Sequence, residues 1–439
     1  MTAVAAPVKV SAWGRLAAPS HALHRPVWPR ELRGSFPKGP ALAVGMRRSY
    51  GDVCLNQGHA LLDMSGLDRF VAADWTTGQV TVEAGVTLDA LLRVAVPRGW
   101  FVPVTPGTKF VTVAGAVAND VHGKNHHGMG TFGRHVAALT LARSDGSVAD
   151  VSPAQNPELF AATVGGLGLT GIILDVTLTL TKISSAYLET ETLPVANLDD
   201  LLRVNGGSED WPYTVAWVDC FATGDDIGRG LYMRGRPAAM GDLVPHRAPR
   251  LAVPLDAPGM LLNALSMRAF NGLYRRYSWR EGVRRAHYDG FFYPLDAIAG
   301  WNKLYGKRGF YQFQCVVPLE GGRDVMRAML GAAADAKQGS FLIVLKTFGD
   351  LASPGVLSFP RPGITLALDF PNKGDSTRRL IDRLNAMAAE AGGAMYPAKD
   401  ATMTGEQFRK GYPRWEEVER LRDPALMSDF WRRVTGKET

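Results

Sequence analysis

Hydrophobic positions fall into two textures along this chain. To about residue 182 they come in short β-branched runs separated by glycines. Residues 80–84 alternate with the two-residue period of a strand, and Gly85 ends the run. Thr87 is placed to cap a helix over 88–96, with Pro97 as its stop. Apolar runs at 139–142 and 148–151 flank Asp145-Gly146, a pair suited to a hairpin because the turn needs positive φ. Residues 172–180 alternate again, after the run Gly165-Gly166-Leu167-Gly168. From about 186 to 393 the elements lengthen and aromatics multiply. Stretches 213–220, 309–317, 341–348 and 364–370 read as strands, and 324–330 and 376–390 as helices. In the last of these Leu380, Ile381, Leu384 and Met387 share one face. Strands punctuated by helices predict an α+β fold with a large antiparallel sheet. After about 394 the chain reads as short and polar.

Composition narrows the class. A chain of 439 residues is long enough for two domains. Its 46% hydrophobic and 21% charged content is that of a soluble globular protein. Its three cysteines are far apart with no CxxC, which argues against a disulfide framework and a thiolate zinc site. The first residues lack a basic start followed by an apolar run, and no stretch of 18 apolar residues occurs. The expected location is therefore cytoplasmic or peripheral at a membrane, without a signal peptide; a periplasmic one stays open.

The net charge of +7 is unevenly spread. Residues 244–287 hold eight arginines against Asp256 and Glu281. Among them lie Leu251, Val253, Leu255, Met260, Leu261, Leu262, Leu265, Phe270, Leu273 and Trp279. One reading is a loop and helix packed on the domain, with solvated arginines. The other is a mobile lid that meets anionic lipid head groups or a lipid-phosphate substrate. No aromatic–basic stacking module accompanies the charge, so nucleic acid is not an expected partner.

Three segments carry candidate chemistry. Gly45-Met46-Arg47-Arg48-Ser49-Tyr50-Gly51-Asp52 has glycines around a small polar centre; it is either a turn between strands or a nest of N–H groups for a pyrophosphate. Pro106-Gly107-Thr108, then Thr112-Val113-Ala114-Gly115-Ala116-Val117-Ala118-Asn119, offers small residues that let a backbone approach a flat or charged ligand. In His122-Gly123-Lys124-Asn125-His126-His127, three histidines, a lysine and an asparagine fall within six positions, costly to place in a core. That predicts an active-site loop. A metal site through His122 and His126 is the weaker alternative, since flanking glycines oppose a helix that would align them.

Taken in order, these segments resemble the vanillyl-alcohol-oxidase/p-cresol-methylhydroxylase superfamily of FAD enzymes, with Gly165–Ile173 as a further landmark. No GxGxxG opens a helix after a strand, as a Rossmann site requires. Asp120–His127 is similar to the DxHGKNHH block of the decaprenylphosphoryl-β-D-ribose 2-oxidases. That likeness runs from about Trp13 to the end, through Trp217, Gln312 and Gln314, Lys346–Gly349, Leu368–Pro371 and Tyr396–Asp400. It implies a two-subdomain FAD-binding domain at 1–185, a substrate domain at 186–393, and a segment 394–439 that returns to the first. It implies that Lys399 is the essential cation beside substrate and flavin, with His122 and Lys346 in the same pocket. Gln312 and Gln314 would bond the sugar; Trp217, Phe348 and Tyr50 would wall the site. FAD would be held by Gly45 through Tyr50, Pro106, Gly107, Thr108, Thr112, Ala114 through Val117, Asn119, His122, Gly123, Asn125, His127, Ile172 and Tyr396. Some superfamily members attach FAD through a histidine where this chain has Arg48, so the implied FAD is non-covalent.

Departures cluster on the substrate side. Ala367 stands where known members carry a cysteine, Thr365 where asparagine is usual, and Phe292 where a pocket tyrosine is expected. A thiol is therefore not required for this chemistry. The implied reaction oxidises the C2 hydroxyl of a polyprenyl-phosphate-linked pentose to a 2-keto sugar, with a short-chain reductase completing epimerisation to arabinose. The rival readings are a soluble alditol or aldonolactone oxidase of the same superfamily, and a flavin-binding or membrane-associated protein without turnover.

Overall fold

A computed structural model describes residues 7–32, 36–37, 39–249, 251–259, 262–279, 281–339 and 341–438. The expected α+β architecture with a large antiparallel sheet is present. Met260 and Leu261 of the basic apolar segment, with Arg250 and Arg280, lie outside the described residues.

The first half carries two larger sheets and a two-stranded pair, Trp100–Phe101 with Thr181–Lys182. Strands Val8–Lys9, Ser20–His24, Ala60–Asp63 and Ala41–Val44 form one of four, whose last three strands run parallel. Phe70–Asp74, Gln79–Glu83, Ile172–Thr179, Val136–Ala142 and Val148–Val151 form an antiparallel sheet of five. Thr87 caps helix Leu88–Ala95 by accepting from the Ala90 N–H, as its position predicts. Gly146 takes a φ of 85° in the hairpin after Ala142.

The second half is built on an antiparallel sheet of eight strands, with a parallel pair, Leu251–Ala252 and Ile298–Ala299, beside it. Its centre runs Tyr213–Val218, Ile343–Phe348, Gly363–Pro371, Phe310–Val317 and then Ala394–Met395. Because directly opposed residues share a face, register sorts its side chains. Ala216, Leu345, Leu366, Cys315 and Met395 are all buried on one face. Helices Gly322–Asp335 and Asp375–Glu390 cover that face, with Cys315 Sγ 3.8 Å from Met329 Sδ. The other face is polar along its middle, and it holds the site.

The C-terminal reading needs correction. Residues after 394 are not a polar tail: helices Gly405–Gly411, Trp415–Leu421 and Asp429–Thr435 bury Phe408, Phe430 and Trp431. Each helix is only seven residues long, too short for its apolar spacing to stand out, and the aromatics cluster only once the helices meet.

Candidate active site

Register brings the site together on the polar face of the large sheet. Trp217 pairs with Val344, Val344 with Ala367, and Ala367 with Gln314. Tyr396 extends this row through its N–H to the Gln314 carbonyl, 2.9 Å. One step along, Lys346 pairs with Thr365; in the other direction Gln312 pairs with Asp369. Four strands and a C-terminal turn, distant in sequence, thus aim their polar side chains one way.

The histidine-rich loop lies across this face. The Gln314 amide nitrogen is 3.1 Å from His122 Nε2 and 3.3 Å from the Thr365 hydroxyl. Lys346 Nζ reaches the Gly123 carbonyl at 3.4 Å, and the Tyr396 hydroxyl donates to the Asn119 carbonyl at 3.0 Å. Phe348 packs edge-on against His122 at 4.9 Å. Lys399 sets Nζ 4.0 Å from the Tyr50 ring centre, a cation–π contact. The expected catalytic residues therefore meet with Gln314, Phe348 and Tyr50, while Trp217 lies on the same face three strands from Gln314.

Electrostatics there are dominated by burial among cations. Burial drives His122 well below its ordinary range, and Lys346, His126 and Lys399 add to that, so its imidazole is neutral at pH 7. Burial also pushes Lys346 down to about 8. Lys399 is lowered by burial and by Lys346, against the attraction of Asp369.

Several of the expected contact residues are also held within the chain. Arg48 stacks its guanidinium 3.9 Å over Trp13 and donates to the Phe110 carbonyl at 3.2 Å, so it holds the loop. Thr108 gives its hydroxyl to Asp296, Asn125 its amide to the Pro103 carbonyl, and His127 Nε2 lies 3.3 Å from the Trp211 carbonyl. The side chains of Ile172, Ala116 and Val117 are fully buried. Gln312 is also held within the chain, its amide donating to Asp369 at 2.5 Å. His126–Met129 is a single helical turn that excludes His122, and no metal-binding cluster occurs among the described residues.

FAD fits what remains. The backbone N–H groups of Met46, Arg47, Arg48 and Ser49 find no acceptor among the described residues, as a pyrophosphate nest requires. Close packing leaves no room for side chains around them: a Cβ on Gly45 would meet the Thr112 hydroxyl at 2.3 Å, and one on Gly51 the Asp400 carbonyl at 1.8 Å. Buried His122 Nδ1 and Asn119 Oδ1 have no hydrogen-bond partner among the described residues, and such atoms in a native site await a ligand or water.

Comparison with known proteins agrees. A family model described as an FAD binding domain matches residues 37–152. The decaprenylphosphoryl-β-D-ribose oxidase of Mycolicibacterium smegmatis is 36% identical over 411 residues, 90% of this chain and 88% of that protein. This chain belongs to the decaprenylphosphoryl-β-D-ribose oxidase family. It is an FAD-dependent oxidoreductase. An uncharacterized protein from the mprA 5'region of Streptomyces coelicolor is 35% identical over 80% of this chain and 100% of its own length. The L-gulonolactone oxidase of Mus musculus is 34% identical over only 31% of this chain. Likeness to the lactone oxidases is thus partial, while that to the ribose oxidase family spans both halves.

Proposed function

We propose that this enzyme oxidises the C2 hydroxyl of a polyprenyl-phosphate-linked ribose to the 2-keto sugar, a short-chain reductase then completing the change to arabinose. The observation that carries this reading is the convergence of Lys399, Lys346, His122 and Gln314 on one face beside the glycine-rich turns. Its four- and five-stranded sheets are the two subdomains of the flavin module, and FAD is held without a covalent bond, since Arg48 occupies the place of an attaching histidine and stacks on Trp13.

FAD, when bound, would supply the hydride acceptor for the carbon that bears the hydroxyl, and its negative charge would rise. Lys399 holds positive charge where that negative charge grows. His122 has one nitrogen engaged by Gln314, so Nδ1 is left for a ligand. The pair has two arrangements: amide nitrogen to bare Nε2, or amide oxygen to Nε2–H. Only the second leaves Nδ1 a lone pair, and through it His122 takes the hydroxyl proton. Phe348, Phe359 and Tyr396 close round the imidazole and keep water out. Ala367 is small and half-buried, leaving room beside Gln314 for the sugar.

The test is anaerobic mixing of the yellow protein with a polyprenylphosphoryl ribose. We expect the flavin to bleach, with free pentoses, alditols and aldonolactones at least ~100-fold slower. Equal bleaching by a free alditol or aldonolactone would favour the soluble-oxidase reading. Acid denaturation should release the flavin into solution; retention on the polypeptide would refute non-covalent binding.

A lipid substrate also gives the basic segment a purpose. Helix Ala264–Ser278 packs Tyr274 on Trp217 at 4.9 Å, at the edge of the site. Away from the sheet it exposes Leu265 (79%), Leu273 (56%) and Tyr277 (62%), beside Arg268, Arg275 and Arg276. Apolar side chains ringed by arginines suit a peripheral contact with an anionic bilayer, which would locate the enzyme at a membrane surface. The protein should co-sediment with vesicles containing anionic lipid but not with neutral ones. Leu265→Glu with Leu273→Glu should abolish this; unchanged sedimentation of that double variant would assign the arginines to solvent.

A further inference from the structure

Asp369 is fully buried on the polar face, opposite Gln312. Gln312 donates to one carboxylate oxygen at 2.5 Å, and the Tyr305 hydroxyl to the other at 3.3 Å. Tyr305 is itself fixed, stacked on Phe310 with ring centres 4.0 Å apart. Phe310 in turn meets Tyr50 edge-on at 5.3 Å, and Lys399 stands over the Tyr50 ring. A clamped carboxylate, a rigid aromatic cluster and the lysine therefore surround one end of the pocket.

We propose that Asp369 is a positioning residue, a clamped and buried counter-charge at the same end of the pocket that keeps the Lys399 ammonium cationic beside the flavin site. The inference rests on the role given to Lys399 above. Burial works against charge on both groups, raising Asp369 and lowering Lys399, and each one's field favours the ionised form of the other. The other groups facing them are few. Lys346 opposes the lysine's charge from the neighbouring strand, His122 faces it as a neutral imidazole, and the Tyr50 ring accepts it. Gln312 and Tyr305 donate to the carboxylate and hold it ionised. Gln312 thus acts on catalysis at two removes, through Asp369 and then Lys399.

The charge on Lys399 is read directly by trace acetylation of the full-length holoenzyme from pH 6 to 10, followed by mass spectrometry of each lysine, with exposed Lys437 as the internal reference. Asp369→Asn should lower the Lys399 midpoint by about one pH unit or more and leave Lys437 unmoved. The high-pH limb of substrate-driven flavin reduction should move down with it, and Asp369→Glu should restore most of both. Gln312→Met, which removes the clamp and keeps the carboxylate, should give a smaller shift of the same sign; it serves if Asp369→Asn does not fold. A Lys399 midpoint that stays put in these variants overturns the proposal, whatever happens to the rate. Labelling needs no substrate, so a shifted midpoint in a protein that ignores prenylphosphoryl ribose would refute the sugar assignment alone.

Discussion

Lys399→Met should retain FAD yet be reduced by its substrate about 10²- to 10³-fold more slowly, the usual effect of removing one preorganised group that stabilises developing charge, roughly 2.7–4 kcal/mol. Methionine keeps the length and apolar stem of lysine and deletes only the ammonium that sits over Tyr50. Folding should survive. Asp369 keeps its bonds from Gln312 and Tyr305, and burial already raises it toward the neutral acid, so losing its partner is met by taking up a proton. Stopped-flow absorbance under anaerobic conditions gives the rate, and the visible spectrum reports flavin content. A variant within about threefold of the parent would show that Lys346 carries the charge instead.

The same pocket sets a pH dependence with a definite sign. Lys346 is depressed to about 8, and Lys399 is depressed too, so both are charged at neutral pH and lose their protons as pH rises through and above 8. Flavin reduction should fall along that limb. Stability moves the other way. A lysine whose folded value is depressed binds fewer protons than the unfolded chain above about 8, so its contribution grows toward higher pH and is lost as pH falls through the folded value. The site thus keeps its cations at a cost in stability, as functional groups often do.

Much of this was legible in the sequence because the signals were local. Thr87 caps the helix it precedes, and the glycine-rich turns lie where close packing demands them. Lys399, His122, Lys346 and Gln314 do meet. What sequence could not give was register. Gln312 and Gln314 alternate on one strand and look equivalent, yet one faces Asp369 and the other His122, and only the pairing of Phe310–Val317 with Gly363–Pro371 decides which. Asp369 was visible only as part of a Leu-Asp-Phe-Pro landmark for the same reason. Arg48 and His127 are chemically suited to a phosphate or a flavin, but that they also meet Trp13 and the Trp211 carbonyl, far off in sequence, could not be read from the chain. Strand Tyr187–Val195 escaped because its burial does not alternate cleanly: it is half-buried along most of its length.

Arg433→Met should cost about 3 kcal/mol and weaken FAD binding, although Arg433 lies only six residues from the C-terminus. Its guanidinium bridges two carboxylates, Asp52 at 2.7 and 2.8 Å and Asp400 at 2.8 Å, and it donates to the Met403 carbonyl. Those contacts staple the turn after Tyr50 to the turn that carries Lys399, where the Tyr50 N–H also reaches the Ala398 carbonyl at 2.9 Å. Removing the arginine leaves Asp52 and nearly buried Asp400 facing each other unpaired. Breaking a buried pair on one side is worth about 3–5 kcal/mol, and the lower end applies because the Arg433 side chain is 27% exposed. The backbones there are in contact, with no space for a Cβ at Gly51, so repulsion between the carboxylates must separate the two turns. The first follows directly on the 46–49 turn with its free N–H groups and the second carries Lys399, so the same loss should raise the FAD dissociation constant. Thermal unfolding, run with and without added FAD, separates the two effects: excess FAD should recover much of the lost melting temperature by mass action. Asp52→Asn added to Arg433→Met should recover part of it without FAD, since one of the two facing charges is gone. A single variant with the parent's melting temperature and FAD affinity would mean that the aromatic packing of Phe408, Phe430 and Trp431 alone seats the C-terminal segment on the flavin module.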